Sequence, residues 1–183
     1  CARVGHHYKH GHLRPGNPDG LSRCYRGSRR CRRFIVGDLA RNLSWSEVLR
    51  GSGYNSLDEV PQLLRDAMQV TATDMFQVIR TRLAKPIIIL AGGALRSEEM
   101  NERCGGAPKS QHLFSKALDM RCKDPADTLL LFGVCEELQS SGAISAGGLS
   151  LYITKAGKPR FVHCDRRGRR ARWGTKNRSK VVL

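Results

Sequence analysis

Six histidines stand in this chain, four of them crowded into the first dozen residues as His6, His7, His10 and His12. The other two, His112 and His163, lie far apart in the stretch that carries the periodicity of folded structure. His112 opens a passage from loop to strand, and Asp119 follows seven positions later on that strand. A loop bending back at Phe114-Ser115 can bring an imidazole and a carboxylate to one point, and His163 on a second strand can add a third ligand. Two imidazoles and one carboxylate with an open fourth position are the make-up of a catalytic zinc centre, where the pKa of bound water falls toward ~7. The same spacing also fits two hydrogen-bonded histidines at a sheet edge and a carboxylate in a surface ion pair. The N-terminal histidines with Cys24 and Cys31 suggest a second metal site, but they lack the ligand spacing of a zinc motif, and a histidine-rich arm is the plainer reading.

The elements that must position these groups can be read from residue 43 onward. Ser44 caps a short helix over 45–49. Asp58 and Pro61 then start a longer one. Val60, Leu63, Leu64, Ala67, Met68, Met75 and Ile79 recur at helical spacing, so it runs to about residue 83 with one buried face. Residues 86–91 are short, β-branched and bounded by Pro and Gly-Gly, which reads as a buried strand. A short helix over 97–103 leads into a Gly105-Gly106 turn. Along 116–122, Ala117, Asp119 and Arg121 alternate with Leu118 and Met120, a strand pattern. Asp124-Pro125 begins a helix with Leu129, Leu130, Val134 and Leu138 as apolar positions, stopped at Gly142. Two strands, 149–154 and 160–165, flank a hairpin loop at Ala156-Gly157-Lys158-Pro159. Phe161, His163 and Asp165 share a face of the second, and everything after Trp173 reads as a basic tail. The order predicts an α+β domain built on a small, largely antiparallel sheet with helices packed on it.

The 183 residues suffice for one well-buried domain with tails. The net charge of +16 is uneven: +8 over residues 1–41, −2 over 42–154 and +10 over 155–183. Basic ends around a near-neutral body favour polyanions by counterion release, whether a wall polymer, anionic lipid or nucleic acid; the alternative is a pair of solvating tails. The seven cysteines form no CxxC, and a disulfide, if one forms, cannot be chosen from spacing. The longest apolar run is far below the ~20 residues needed to span a bilayer, and the start does not resemble a signal peptide. Cys1 suits either a trimmed chain or the lipidated mature end of a bacterial lipoprotein.

The wording around the first histidine is more specific than its spacing. Ser110-Gln111-His112-Leu113-Phe114-Ser115-Lys116-Ala117-Leu118-Asp119 closely resembles the SxHxxGxAxD signature of the M15 zinc peptidases, the D-alanyl-D-alanine carboxypeptidases, dipeptidases and murein endopeptidases. Asn101, then Gly105-Gly106-Ala107, resembles the family's lead-in, and the Gly-x-x-Arg-Ser turn at Arg96 is similar to its GYRS. Phe161-Val162-His163-Cys164-Asp165-Arg166 resembles FVHxDxR, and Arg172-Trp173 the RW ending. The resemblance covers about 42–174, between a 1–41 basic extension and a 175–183 basic tail. It implies the hedgehog/DD-peptidase fold, with His112, Asp119 and His163 as ligands of one Zn²⁺. It further implies Arg96 near the scissile carbonyl, where a guanidinium stabilises an oxyanion, and Ser110 with Gln111 as substrate-binding residues.

Three positions depart from the pattern. Ser115 replaces a Gly at a place that calls for a backbone angle Ser adopts reluctantly. Ala94-Leu95 replace an aromatic pocket wall. Arg160 stands where several branches of the family carry the proton-accepting Glu or Asp, a role no guanidinium can fill. Asp165 is the nearest substitute as a catalytic carboxylate, or else it orients His163. The expected function is hydrolysis of amide bonds at D-amino acids in peptidoglycan stem peptides or cross-links, in a bacterial envelope or a phage particle. The alternative is an inactive binding or structural subunit of a larger assembly, with or without zinc, as hedgehog signalling domains of this fold act by binding. A nucleic-acid-associated basic protein rests on charge alone and implies steeply salt-dependent binding.

Overall fold

The computed structural model describes residues 37–176 and 179–181. The histidine-rich segment with Cys24 and Cys31 lies outside the described residues. Helix α1 (Trp45–Leu49) opens with a capping box, in which Ser44 accepts from the Glu47 amide and the Glu47 carboxylate accepts from the Ser44 amide. The long helical rod begins at Gln62, with Pro61 as its cap, and has three parts: α2 (Gln62–Thr71), a π turn (Ala72–Phe76) and α3 (Gln77–Leu83). Met68, Ala72, Met75, Phe76 and Ile79 form its buried stripe. Leu63, expected on that stripe, is 81% exposed, because it lies on the row of Asp66 and Val70 rather than that of Leu64 and Met68.

A six-stranded sheet carries the rest, in the order β1-β2-β4-β3-β5-β6. The strands are β1 (Ile88–Ile89), β2 (Ala117–Arg121), β3 (Gly148–Ile153), β4 (Pro159–Asp165), β5 (Ala171–Lys176) and β6 (Ser179–Val181). All neighbours are antiparallel except β3 and β5. The strand expected over 86–91 pairs only through its two residues of β1. The sheet also runs past Trp173 into the segment expected as a basic tail, where β5 pairs with β6.

Helix α4 (Glu98–Arg103) precedes the metal-motif loop, and α5 (Pro125–Ser140) packs on β2, β3 and β4. Leu131, Val134, Cys135 and Leu138 are the core face of α5, while Leu129 and Leu130 remain half exposed. Three successive leucines span about 200° of a helix, so they cannot all reach one core. The architecture is α+β, with a largely antiparallel sheet covered by helices, and it fits the hedgehog/DD-peptidase type.

Candidate metal centre and groove

Strand register, more than sequence distance, assembles the centre. Asp119 on β2 pairs directly with His163 on β4, His163 with Ser150 on β3, and Ser150 with Trp173 on β5. These four residues form one row across the sheet. His112 reaches the row from the turn over 111–115, held where the Arg96 amide donates to the His112 carbonyl and the Lys116 amide to that of Gln111. The turn closes with Ser115 at φ +54°, the left-handed region that glycine prefers. Ser115 is fully buried and its hydroxyl finds no partner, while its carbonyl accepts from the Thr71 hydroxyl at 2.7 Å.

All three candidate ligands are buried, and their ligand atoms lie within 4.8 Å of one another. His112 Nδ1 donates to the Ala94 carbonyl at 2.8 Å, and its Nε2 faces Asp119 Oδ2 at 3.4 Å. His163 Nδ1 sits 2.8 Å from Asp119 Oδ1, and its Nε2 donates to Asp165 Oδ2 at 3.1 Å. Ligands about 2.1 Å from a tetrahedral ion are separated by roughly 3.4 Å, so the donor set fits one small divalent cation. A backbone or carboxylate partner on the far nitrogen of each histidine is the usual support for a metal-binding imidazole. Gly93 admits this arrangement, since a Cβ there would come within 2.9 Å of the Asp119 Cβ.

Two buried carboxylates, Asp119 and Asp165, set the electrostatics of the cluster. Burial alone would push the Asp119 carboxyl up, but the charge and hydrogen bond of His112 and the hydrogen bond from His163 hold it well below the usual range. Burial pulls the His163 imidazolium down, yet its bonds to Asp119 and Asp165 outweigh this and push its pKa up to about 10. Asp165 is held low in turn, against its burial, by His163, Arg167 and the Gly148 amide.

Asp165 is wholly enclosed. Its Oδ1 accepts from the Gly148 amide at 2.8 Å and from Arg167, and its Oδ2 from His163 and Arg167. It does not line the groove beside the cluster. A catalytic carboxylate must reach the reacting atoms; Asp165 instead makes the contact to His163 that the other role considered for it, orienting that imidazole, requires. Arg96 donates to Asp119 Oδ2 at 2.9 Å and to the Gly92 carbonyl, so it steadies the carboxylate while facing the groove.

The groove has a volume of about 1280 Å³, and Ser110 and Gln111 line it with the three cluster residues. Its aromatic walls are Tyr152, Phe161 and Trp173, the last with its ring centroid 5.3 Å from that of His163. Ala94 and Leu95, at the positions of the expected aromatic, are fully buried core. Sequence reasoning did not assign Tyr152, Trp173, Lys109 or Arg167 to the site. Trp173 alone carried a signal, the Arg-Trp pair.

A family model described as Peptidase M15 matches residues 42–165, about two thirds of the chain. This chain belongs to the M15 peptidase family. No curated protein matches it in a sequence comparison. The matched span of this M15 chain contains His112, Asp119 and His163. Among the described residues, no helix is long and apolar enough to cross a membrane.

Proposed function

We propose that this protein is a zinc peptidase hydrolysing amide bonds at D-amino acids in peptidoglycan stem peptides or cross-links. The observation that supports it is the meeting of His112, Asp119 and His163 at the base of a groove large enough for a peptide. Zinc bound there supplies Lewis acidity, polarising a carbonyl and acidifying water. The chain's own residues do the rest. Ala94 and Asp165 fix the two imidazoles by accepting their far N–H groups. Arg96, tethered by Gly92 and Asp119, presents a guanidinium where charge develops on the scissile oxygen. Ser110 and Gln111 hold the peptide along the groove, and the basic segments hold the protein on anionic wall polymer.

A second reading, a peptide-binding subunit without turnover, is favoured by one observation. Asp119 is the sole carboxylate among the described groove-lining residues, so no second one stands ready to accept a proton. Digestion of purified peptidoglycan separates the two readings. The zinc-loaded protein is expected to release muropeptides detectable by chromatography, and an Asp119→Asn variant to release none. Equal release by both proteins, or none by the wild type, refutes the peptidase reading.

A further inference from the structure

Strand periodicity would turn Arg160 away from the site, because Phe161, His163 and Asp165 occupy one face of β4. The pairing with β3 slips at that point. Tyr152 pairs with Phe161, but Ile153 pairs with Pro159, which leaves Arg160 as the extra residue of a bulge. A bulge re-aims a side chain, and the exposed Arg160 lines the same groove as Phe161 and His163. Its guanidinium carbon lies 5.7 Å from the Phe161 ring centroid, and that ring stacks on Tyr152 at 4.2 Å with 11° between planes. The aromatic pair gives the guanidinium a platform and limits where it can swing.

The other arginines of the groove already have anionic partners: Arg96 has Asp119, Arg103 has Glu99 and Arg167 has Asp165. Neither Arg160 nor Lys109 forms an ion pair with an acidic side chain among the described residues. The groove therefore presents two uncommitted cations, one of them a planar fork matched to a carboxylate. A nucleic-acid strand is held instead by a row of cations tracking successive phosphates.

We propose that Arg160 is a specificity-determining residue that pairs with a carboxylate of the bound peptide, so that the groove selects acidic peptides over amidated counterparts. The position that carries a proton acceptor in related enzymes thus reads substrate charge here. As a statement about turnover this rests on the peptidase reading; as a statement about binding it does not.

The test uses the zinc-loaded protein with two synthetic stem peptides that differ only in whether their side-chain carboxylates are free or amidated. Steady-state kinetics and fluorescence anisotropy are measured for wild type, Arg160→Gln and Arg160→Lys. The wild type is expected to show KM and Kd about tenfold lower for the acidic peptide. Arg160→Gln should lose that preference by weakening only the acidic peptide, with kcat within about twofold, and Arg160→Lys should keep part of it. Equal weakening on both peptides, or a fall in kcat at unchanged KM, overturns the proposal. So does a single-stranded oligonucleotide that binds as tightly as the acidic peptide with the same dependence on Arg160. An Arg160-dependent preference in binding with no turnover leaves the anchor standing and refutes the peptidase; turnover without any preference does the reverse.

Discussion

At the residue scale, the centre is defined by what each ligand candidate does with its second polar atom. His112 gives its Nδ1 proton to a carbonyl, and His163 gives its Nε2 proton to a carboxylate. Asp119 divides its oxygens between His163 on one side and His112 with Arg96 on the other. Asp165 supports the whole from below, its oxygens saturated by Gly148, Arg167 and His163. Gly148 is required for that approach, since a Cβ there would lie 2.4 Å from Asp165 Oδ2. Replacing Asp165 by Asn removes the charge that orients His163 and raises its basicity. Loss of such a supporting carboxylate typically costs ten- to a hundredfold in metal affinity. Competition of Asp165→Asn with a chelator of known affinity should therefore show zinc binding weaker by about that factor. Unchanged affinity in a folded variant would mean that Asp165 serves only the sheet.

The element scale explains which parts of this site could be read from sequence. The turn carrying His112 and the strand carrying Asp119 are adjacent in the chain, so a ten-residue pattern contains both ligands and most of the geometry that joins them. His163 was legible because its strand has a strong alternation. Arg160 was marked by the resemblance alone, because its direction depends on a register slip between two strands, which no single-strand pattern encodes. Tyr152 was hidden because it joins the groove only through its pairing with Phe161 across β3 and β4, and Trp173, marked by the Arg-Trp pair, reaches the His163 ring only across β3. Likewise the expected tail after Trp173 lacks an apolar periodicity, yet its backbone pairs with β3 and then with itself. Ser115 is the opposite case, since the departure from glycine predicts strain and the structure holds it at φ +54° with an orphaned hydroxyl. The helical rod keeps it there through Thr71, whose hydroxyl bonds the Ser115 carbonyl one residue before the π turn begins. A side chain in the left-handed region costs about 1–2 kcal/mol, and an unmet buried hydroxyl adds to that. The extra freedom of glycine in the unfolded chain offsets roughly 0.5–1 kcal/mol. Ser115→Gly should therefore stabilise the protein by about 1 kcal/mol, a rise of about 3 °C in Tm by calorimetry. An unchanged or lowered Tm would show that the turn is relaxed as it stands.

For the whole molecule, the uneven charge acquires a structural meaning. Much of the basic C-terminal segment, 155–183, is built into the fold rather than left as a solvating tail. Arg166 ties β4 to α2 through Thr71 and the Ala67 carbonyl, and Arg170 and Arg172 hold Glu136 of α5. Arg160 and Arg167 border the groove. The proposed chemistry requires a single metal ion bound at His112, Asp119 and His163. Elemental analysis of the purified protein after zinc loading and gel filtration tests it most directly, with Asp119→Asn treated in parallel and its fold checked by circular dichroism. About one zinc per wild-type chain and almost none per variant chain is the expected result. Wild-type protein that retains no zinc, or a folded variant that retains as much as the wild type, would contradict it.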